Sequence, residues 1–139
     1  MARRRGAPTH DPRTDARERT LLMLYEAETK GIEPRAVLEA QVVRPDEQTV
    51  ALVIGVGERR AELDEVIGIH SHGWTLARMP AIDRNVLRLG AFELAGRPEV
   101  PVAVVIDEAV ELAKRFSTDD SGRFVNGVLS ALAPVLRSN

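Results

Sequence analysis

From residue 12 onward, apolar side chains recur every three or four positions, in stripes separated by glycine, proline and short polar runs. That period belongs to helices with one buried face, not to strands. Leu21, Leu24, Tyr25 and Glu28 fall on the first such face, with Leu22 beside them. Asp11-Pro12 offers an N-cap and a first helical residue, and Gly31 offers a stop. Pro34 opens a short second helix with Val37, Leu38 and Val42 on its apolar side, interrupted by Pro45-Asp46.

Val50, Val53, Ile54, Gly57, Ala61, Asp64 and Ile67 keep helical spacing and predict one longer helix ending near Ser71-His72-Gly73. Gly55 and Gly57 each cost about 1 kcal/mol relative to alanine inside a helix, so they predict close approach of another helix. Trp74 follows, with Thr75 placed to cap a short turn through Arg78 before Pro80. Ile82, Val86, Leu87, Gly90, Ala91 and Leu94 form the next stripe, ended by Gly96 and Pro98. After Pro101 come Val102, Val105, Ile106, Ala109, Ala113 and Phe116. Val102 to Ile106 is β-branched enough to read as a strand, but the stripe stays in helical phase for several more turns. Ser117 to Gly122 breaks that helix and supplies N-caps for a last one lined by Val125, Val128, Leu129 and Leu132, which Pro134 bends or ends.

The pattern predicts an all-α protein of about seven helices in two packed sub-bundles. Residues 1–11 form an aperiodic basic arm. Residues 12–139 form a single domain, with an N-terminal helical half over about 12–72 and a C-terminal half over about 73–139.

Composition narrows the function classes. The chain has no cysteine, which removes disulfides, thiolate metal sites and cysteine nucleophiles. No apolar run approaches the roughly 18–20 residues of a membrane span, and no apolar core follows the N-terminal arginines. A cytoplasmic protein is expected. The net charge of −2 hides an asymmetry: Arg3, Arg4, Arg5, Arg13, Arg17 and Arg19 precede the first apolar stripe, opposed only by Asp11, Asp15 and Glu18. Such an arm suits phosphate oxygens, and it equally suits a solvated tail.

Catalytic signatures are missing from the sequence. There is no phosphate-cradling glycine loop with Lys-Ser/Thr, no G-x-S-x-G and no H-E-x-x-H. His70 and His72 are two apart and would point to different faces of a helix, with no third ligand near; His10 lies in the arm. Adjacent carboxylates such as Asp64-Glu65 and Asp107-Glu108 read as solvated faces or ion pairs. No enzyme, metal or cofactor is expected.

Ser117 to Asn126 is a loop feeding a helix N-terminus, where free N–H groups favour anions. Arg123 stands in that first turn against the usual preference for acidic residues, which points to a phosphate or carboxylate partner. Phe124 is one step off the apolar stripe, so core packing and base stacking both stand as readings. Asp120 is an N-cap option, and Asn126 needs polar partners or a polar surface. Asp83, Arg84, Arg88 and Glu93 read as a solvated helix face with intrahelical pairs, or as a protein-binding surface. Trp74 is expected to be a core plug between the halves.

Several blocks together resemble the bacterial NusB family. They are Ala16-Arg17-Glu18-Arg19-Thr20-Leu21-Leu22-Met23-Leu24-Tyr25-Glu26, Trp74 to Met79, Ile82 to Leu89 with Phe92-Glu93-Leu94, Val100-Pro101, Ile106 to Lys114, and Phe124-Val125-Asn126-Gly127-Val128-Leu129. The resemblance implies a two-bundle helical fold and a role in transcription antitermination. It implies binding of boxA-type RNA from ribosomal RNA leader transcripts together with NusE, a ribosomal small-subunit protein, within the RNA polymerase antitermination complex. By the family pattern, RNA contacts come from Arg3, Arg4, Arg5, Arg13 and Arg17 and from Asp120, Arg123 and Phe124. NusE contacts come from Asp83 and Arg84. Some members are homodimers.

One departure is local. Where the family carries a dense arginine run, this chain reads Arg13-Thr14-Asp15-Ala16-Arg17, and Asp15 opposes phosphate. Either the Arg3 to Arg5 cluster reaches back to the RNA, or the partner carries more of the binding. Two other functions compete: a non-catalytic protein–protein scaffold or homodimer, and an isolated NusB-like auxiliary domain of a ribosomal RNA methyltransferase.

Overall fold

The computed structural model describes residues 11–137; Arg3, Arg4, Arg5 and the arm up to residue 10 lie outside the described residues. The described residues form seven α-helices and no strand. These are α1 (Pro12–Lys30), α2 (Pro34–Glu39), α3 (Glu47–Glu58), α4 (Arg60–Ile69), α5 (Ala81–Gly96), α6 (Val102–Phe116) and α7 (Asp119–Leu136). A short 3-10 turn over Leu76–Arg78 precedes α5.

The expected caps are largely present. The Asp11 carboxylate accepts from the Arg13 N–H with Pro12 as first residue, and Gly31 closes α1 at φ 68°, a left-handed value that favours glycine. Asp46 caps α3 through the Thr49 N–H, and Thr118 caps α7 through the Ser121 N–H. Val102 to Ile106 is helical, in phase with the rest of α6. Pro134 lies inside α7 without ending it. It sits in the last turns, where the carbonyl it leaves unpaired belongs to exposed Ser130 and can be hydrated.

Two predicted elements are corrected. The long helix over 50–67 is two helices broken at Arg59, whose N–H bonds the Gly55 carbonyl and whose own carbonyl accepts from Leu63. The apolar stripe stays in phase across that break, so spacing alone did not reveal it. Val42 is not on an apolar face: α2 stops at Glu39, and Val42 is fully exposed in the connection to α3.

α5 is the axis of the fold, packed on α1, α3, α4, α6 and α7. The main core takes Leu21, Leu52, Ile67, Leu87, Leu94, Ala113, Leu129 and Leu132 from six helices and runs through both sub-bundles. A smaller cluster of Met23, Ala27, Val37 and Val53 sits beneath α2. Gly55 allows the expected close approach: a Cβ there would stand 2.2 Å from Cζ of Phe92.

This central position overturns the reading of the α5 polar residues as a solvated face. Asp83, Arg88 and Glu93 are all buried. Arg17 of α1 grips Glu93 with Nε at 2.8 Å and Nη2 at 2.9 Å, and reaches Glu108 at 3.2 Å. Arg84 and Arg88 both pair with Glu28 of α1, and Arg88 also binds Asp64 of α4 at 2.7 and 3.0 Å. Arg84, Arg88 and Glu93 are therefore the stitches between helices, which is why such groups can be buried.

Candidate functional site

At the N-terminal end of α5, the turn Ser71-His72-Gly73 holds two positive φ angles, 51° at His72 and 87° at Gly73. That reversal brings Trp74 out of α4 and across to the start of α7. Its ring meets Phe124 edge-on, with centroids 6.2 Å apart and planes at 64°. The two rings open a cleft of about 250 Å³ whose remaining walls are Met79 and Pro80 from the start of α5, Asp83, and Thr118, Asp120 and Ser121 from the start of α7. Thr118 and Ser121 are fixed by their mutual cap and by a 2.9 Å bond from Ser121 Oγ to Ser117 Oγ, so this end of α7 is preorganised.

Trp74 is 51% exposed, which corrects its expected role as a core plug. Phe124 takes both of its readings in part, since it packs on the core and lines the cleft. Asp83 is only 3% exposed, and its Oδ1 has no hydrogen-bond partner among the described residues. Its place in the first turn of α5 lets the helix dipole offset its charge. Asp83 thus shares a cleft with Asp120 and Phe124, while its neighbour Arg84 turns inward. Arg84 donates to the carbonyls of Leu76 and Met79 at 2.7 and 2.8 Å and pairs with Glu28. It holds the 3-10 turn that leads from Trp74 into α5 and presents no joint surface with Asp83.

Arg123 is exposed in the first turn of α7 and pairs with the exposed Asp120 of the same turn. That carboxylate is the partner which its position in a first turn called for. A pair so open to water is worth little and can be exchanged for a phosphate. Arg123 also lines a shallow groove of about 450 Å³ between α6 and α7 with Lys114 and Asn126, bordered by Asp107 and Asp119. Asn126 is exposed and contributes its amide to this surface.

The basic start of α1 is elsewhere. Arg13 is exposed beside a second cavity of about 290 Å³, which it shares with Glu93, Arg97, Glu99 and Glu108. Arg17 lies behind it at 4% exposure, its guanidinium committed to Glu93 and Glu108. Burial opposes its charge, but the hydrogen bonds and charge of Glu93 outweigh that and raise its pKa above the usual arginine value. Arg17 is accordingly not on the surface where sequence placed it. Arg13 lines its cavity with Glu108 and Arg123 lines its groove with Asp107, so the two arginines stand on grooves bordered by neighbouring residues of α6. Among the described residues no cluster of His, Asp and Glu is arranged to hold a metal ion, and His70 binds the Val66 carbonyl at 2.9 Å.

A model of the NusB family matches residues 14–134. The chain belongs to the NusB family. The transcription antitermination protein NusB of Saccharopolyspora erythraea is 53% identical over 129 residues, covering 88% of this chain and 87% of that protein. The NusB of Acidothermus cellulolyticus is 48% identical over 124 residues, covering 86% of each. Among solved structures, Thermotoga maritima NusB superposes with a TM-score of 0.80 at 32% identity, covering 90% of this chain and 92% of that one. A structure of the antitermination factors NusB and NusE in complex with dsRNA gives a TM-score of 0.76 at 29% identity, covering 88% and 96%. The family resemblance and the all-α fold read from sequence are borne out. No helix among the described residues is long and apolar enough to cross a membrane.

Sequence singled out Asp120, Arg123 and Phe124 by their helix-start position, and the structure sets Asp120 and Phe124 in one cleft with Trp74 and Asp83, which sequence had not joined to them. No spacing signal joins Trp74 to Phe124 across fifty residues of chain; only the packing of α5 between α4 and α7 does so.

Proposed function

We propose that this NusB-family protein acts as a non-catalytic, cytoplasmic RNA-binding adaptor in transcription antitermination, engaging boxA-type single-stranded RNA of ribosomal leader transcripts together with NusE. The single observation that carries RNA binding is the aromatic cleft between Trp74 and Phe124 at the N-terminus of α7, with exposed Arg123 in the same turn facing the adjoining groove between α6 and α7. Aromatic rings beside an exposed arginine suit unstacked bases on a phosphate backbone. The relatives named as antitermination proteins, and the related NusB found with NusE and RNA, support the reading.

The RNA surface proposed here comprises Asp120, Arg123, Phe124 and Trp74, with Arg13 as a further basic contact and with Arg3, Arg4 and Arg5, which lie outside the described residues, added to it from the sequence. Arg17 and Arg84 support these surfaces from inside. Asp83 lines the RNA cleft, and its contact with NusE, which the family pattern implies, remains part of the proposal.

Fluorescence anisotropy of a labelled boxA-type RNA, with and without NusE and across a salt series, tests the proposal. Affinity is expected to rise with NusE and to fall as salt rises. Indifference to both RNA and NusE refutes it. If replacing Arg3, Arg4, Arg5 and Arg123 by alanine leaves every interaction intact, the scaffold reading replaces it.

A further inference from the structure

We propose that the Trp74–Phe124 cleft is a pocket for one unstacked guanine, selected by the carboxylate of Asp83; this rests on the RNA-binding reading above and specifies which base the site takes. The starting observation is an unsatisfied group. Asp83 Oδ1 is buried and has no hydrogen-bond partner among the described residues, although the residue lines an open cleft. A buried acceptor without a donor is costly, and native proteins keep few of them. What the site lacks is a donor. Asp83 sits in the first turn of α5, and the first turn of α7, which also lines the cleft, brings a second positive helix end together with the carboxylate of Asp120. A neutral N–H edge supplies the missing donor, and a cationic side chain is the rival occupant that the experiment below separates from it.

The cleft also has depth. Trp74 is half exposed at the mouth, while Asp83 is almost wholly buried. A flat ring that enters against Trp74 and Phe124 therefore brings an edge toward a carboxylate, which in its ionised form only accepts hydrogen bonds. Guanine presents two adjacent donors on its Watson–Crick edge, the ring N1–H and the exocyclic amine, a match for two carboxylate oxygens. Adenine and cytosine set one amine beside a ring-nitrogen lone pair, which would face the second oxygen. Uracil has one N–H between two carbonyls. Oδ1 is covered in the free protein, so entry of the base requires the lining of the cleft to move.

Trp74 is the only tryptophan in the chain, so its fluorescence reports entry directly. The experiment titrates the full chain with short oligouridine RNAs carrying one central guanosine, inosine, adenosine or uridine. Inosine keeps N1–H and lacks the amine, and thus removes one bond without touching the protein. The expected result is quenching of Trp74 and tighter binding of the guanosine RNA, by about ten-fold or more over adenosine and uridine, with inosine between. The isosteric Asp83→Asn variant, checked for an unchanged melting curve, is expected to reduce the guanosine preference to less than about two-fold. Equal affinity for all four RNAs, or a guanosine preference that survives in Asp83→Asn, overturns the pocket while leaving RNA binding intact. Failure of every RNA to bind overturns the broader reading and this one together. Stronger Trp74 quenching by an arginine-rich peptide than by any RNA assigns the cleft to a protein partner and also overturns the proposal.

Discussion

Arg17→Met removes a cation that sequence reasoning placed on the RNA surface and the structure places between α1, α5 and α6. The guanidinium makes two bonds to Glu93, at 2.8 and 2.9 Å, and a third to Glu108 at 3.2 Å. The Arg17 and Glu93 side chains are 5% and 3% exposed, so water cannot replace either partner, whereas Glu108 at 28% can be partly hydrated. Leaving Glu93 charged and unpaired in that position costs about 3–5 kcal/mol, more than the pair is worth to the folded state. The double variant Arg17→Met/Glu93→Met removes both charges and fills similar volume, and it is expected to recover most of the loss. A thermodynamic cycle by urea unfolding, using Arg17→Met, Glu93→Met and the double variant, measures this directly. Single variants should each lose several kcal/mol, with a coupling of at least about 2 kcal/mol. Loss of less than about 1 kcal/mol in Arg17→Met, or a double variant no better than the sum of the singles, would refute the argument. So would an Arg17→Met protein with native stability and selectively weakened RNA binding, because that result restores Arg17 to the surface.

Three further expectations follow from the same geometry. The Glu28 carboxyl is held below the usual carboxylate pKa by its hydrogen bond from Arg84, against a desolvation effect that raises it, with help from Arg88 and Asn85. A depressed folded-state pKa contributes stability above the unfolded value and loses it as pH falls through the folded one. Stability should therefore drop as pH falls below about 4.5, the unfolded carboxylate range, and Glu28→Gln should flatten that part of the profile in urea midpoints measured from pH 6 to 3. Gly55→Ala places a methyl 2.2 Å from Cζ of Phe92, an overpacking cost of about 1–3 kcal/mol set against a helix-propensity gain of about 1 kcal/mol that should emerge in the Phe92→Leu background; a single variant stabilised by the full gain contradicts the close α3–α5 approach. Arg123→Ala should weaken single-stranded RNA binding and lower the salt slope by about 0.7, with little effect on melting temperature because its pair with Asp120 is solvent-exposed.

The seven-helix fold was legible because each stripe needs only local information. Asp11-Pro12, Gly31 and Thr118 mark ends through their own backbone chemistry, and the period of 3.6 marks the buried face of each helix. The family was legible too, since the blocks around Ile82 to Leu94 and Phe124 to Leu129 carry it in linear order. What periodicity cannot encode is whether a polar residue on a helix meets water or another helix. Arg17, Asp83, Arg88 and Glu93 look alike in sequence to any solvated charge, and became interior groups only because α5 is surrounded by five other helices. The break at Arg59 was hidden for a related reason: the apolar pattern continues across it in phase. Trp74, read from sequence as a plug, is instead a half-exposed wall, because the turn through His72 and Gly73 carries it outward to meet Phe124. The sequence by itself determined the all-helical class, most helix positions and the family. The tertiary structure alone decided which charges are paired inside and which residues share a cleft, because both depend on contacts between helices distant in sequence, such as Arg88 with Asp64 and Trp74 with Phe124.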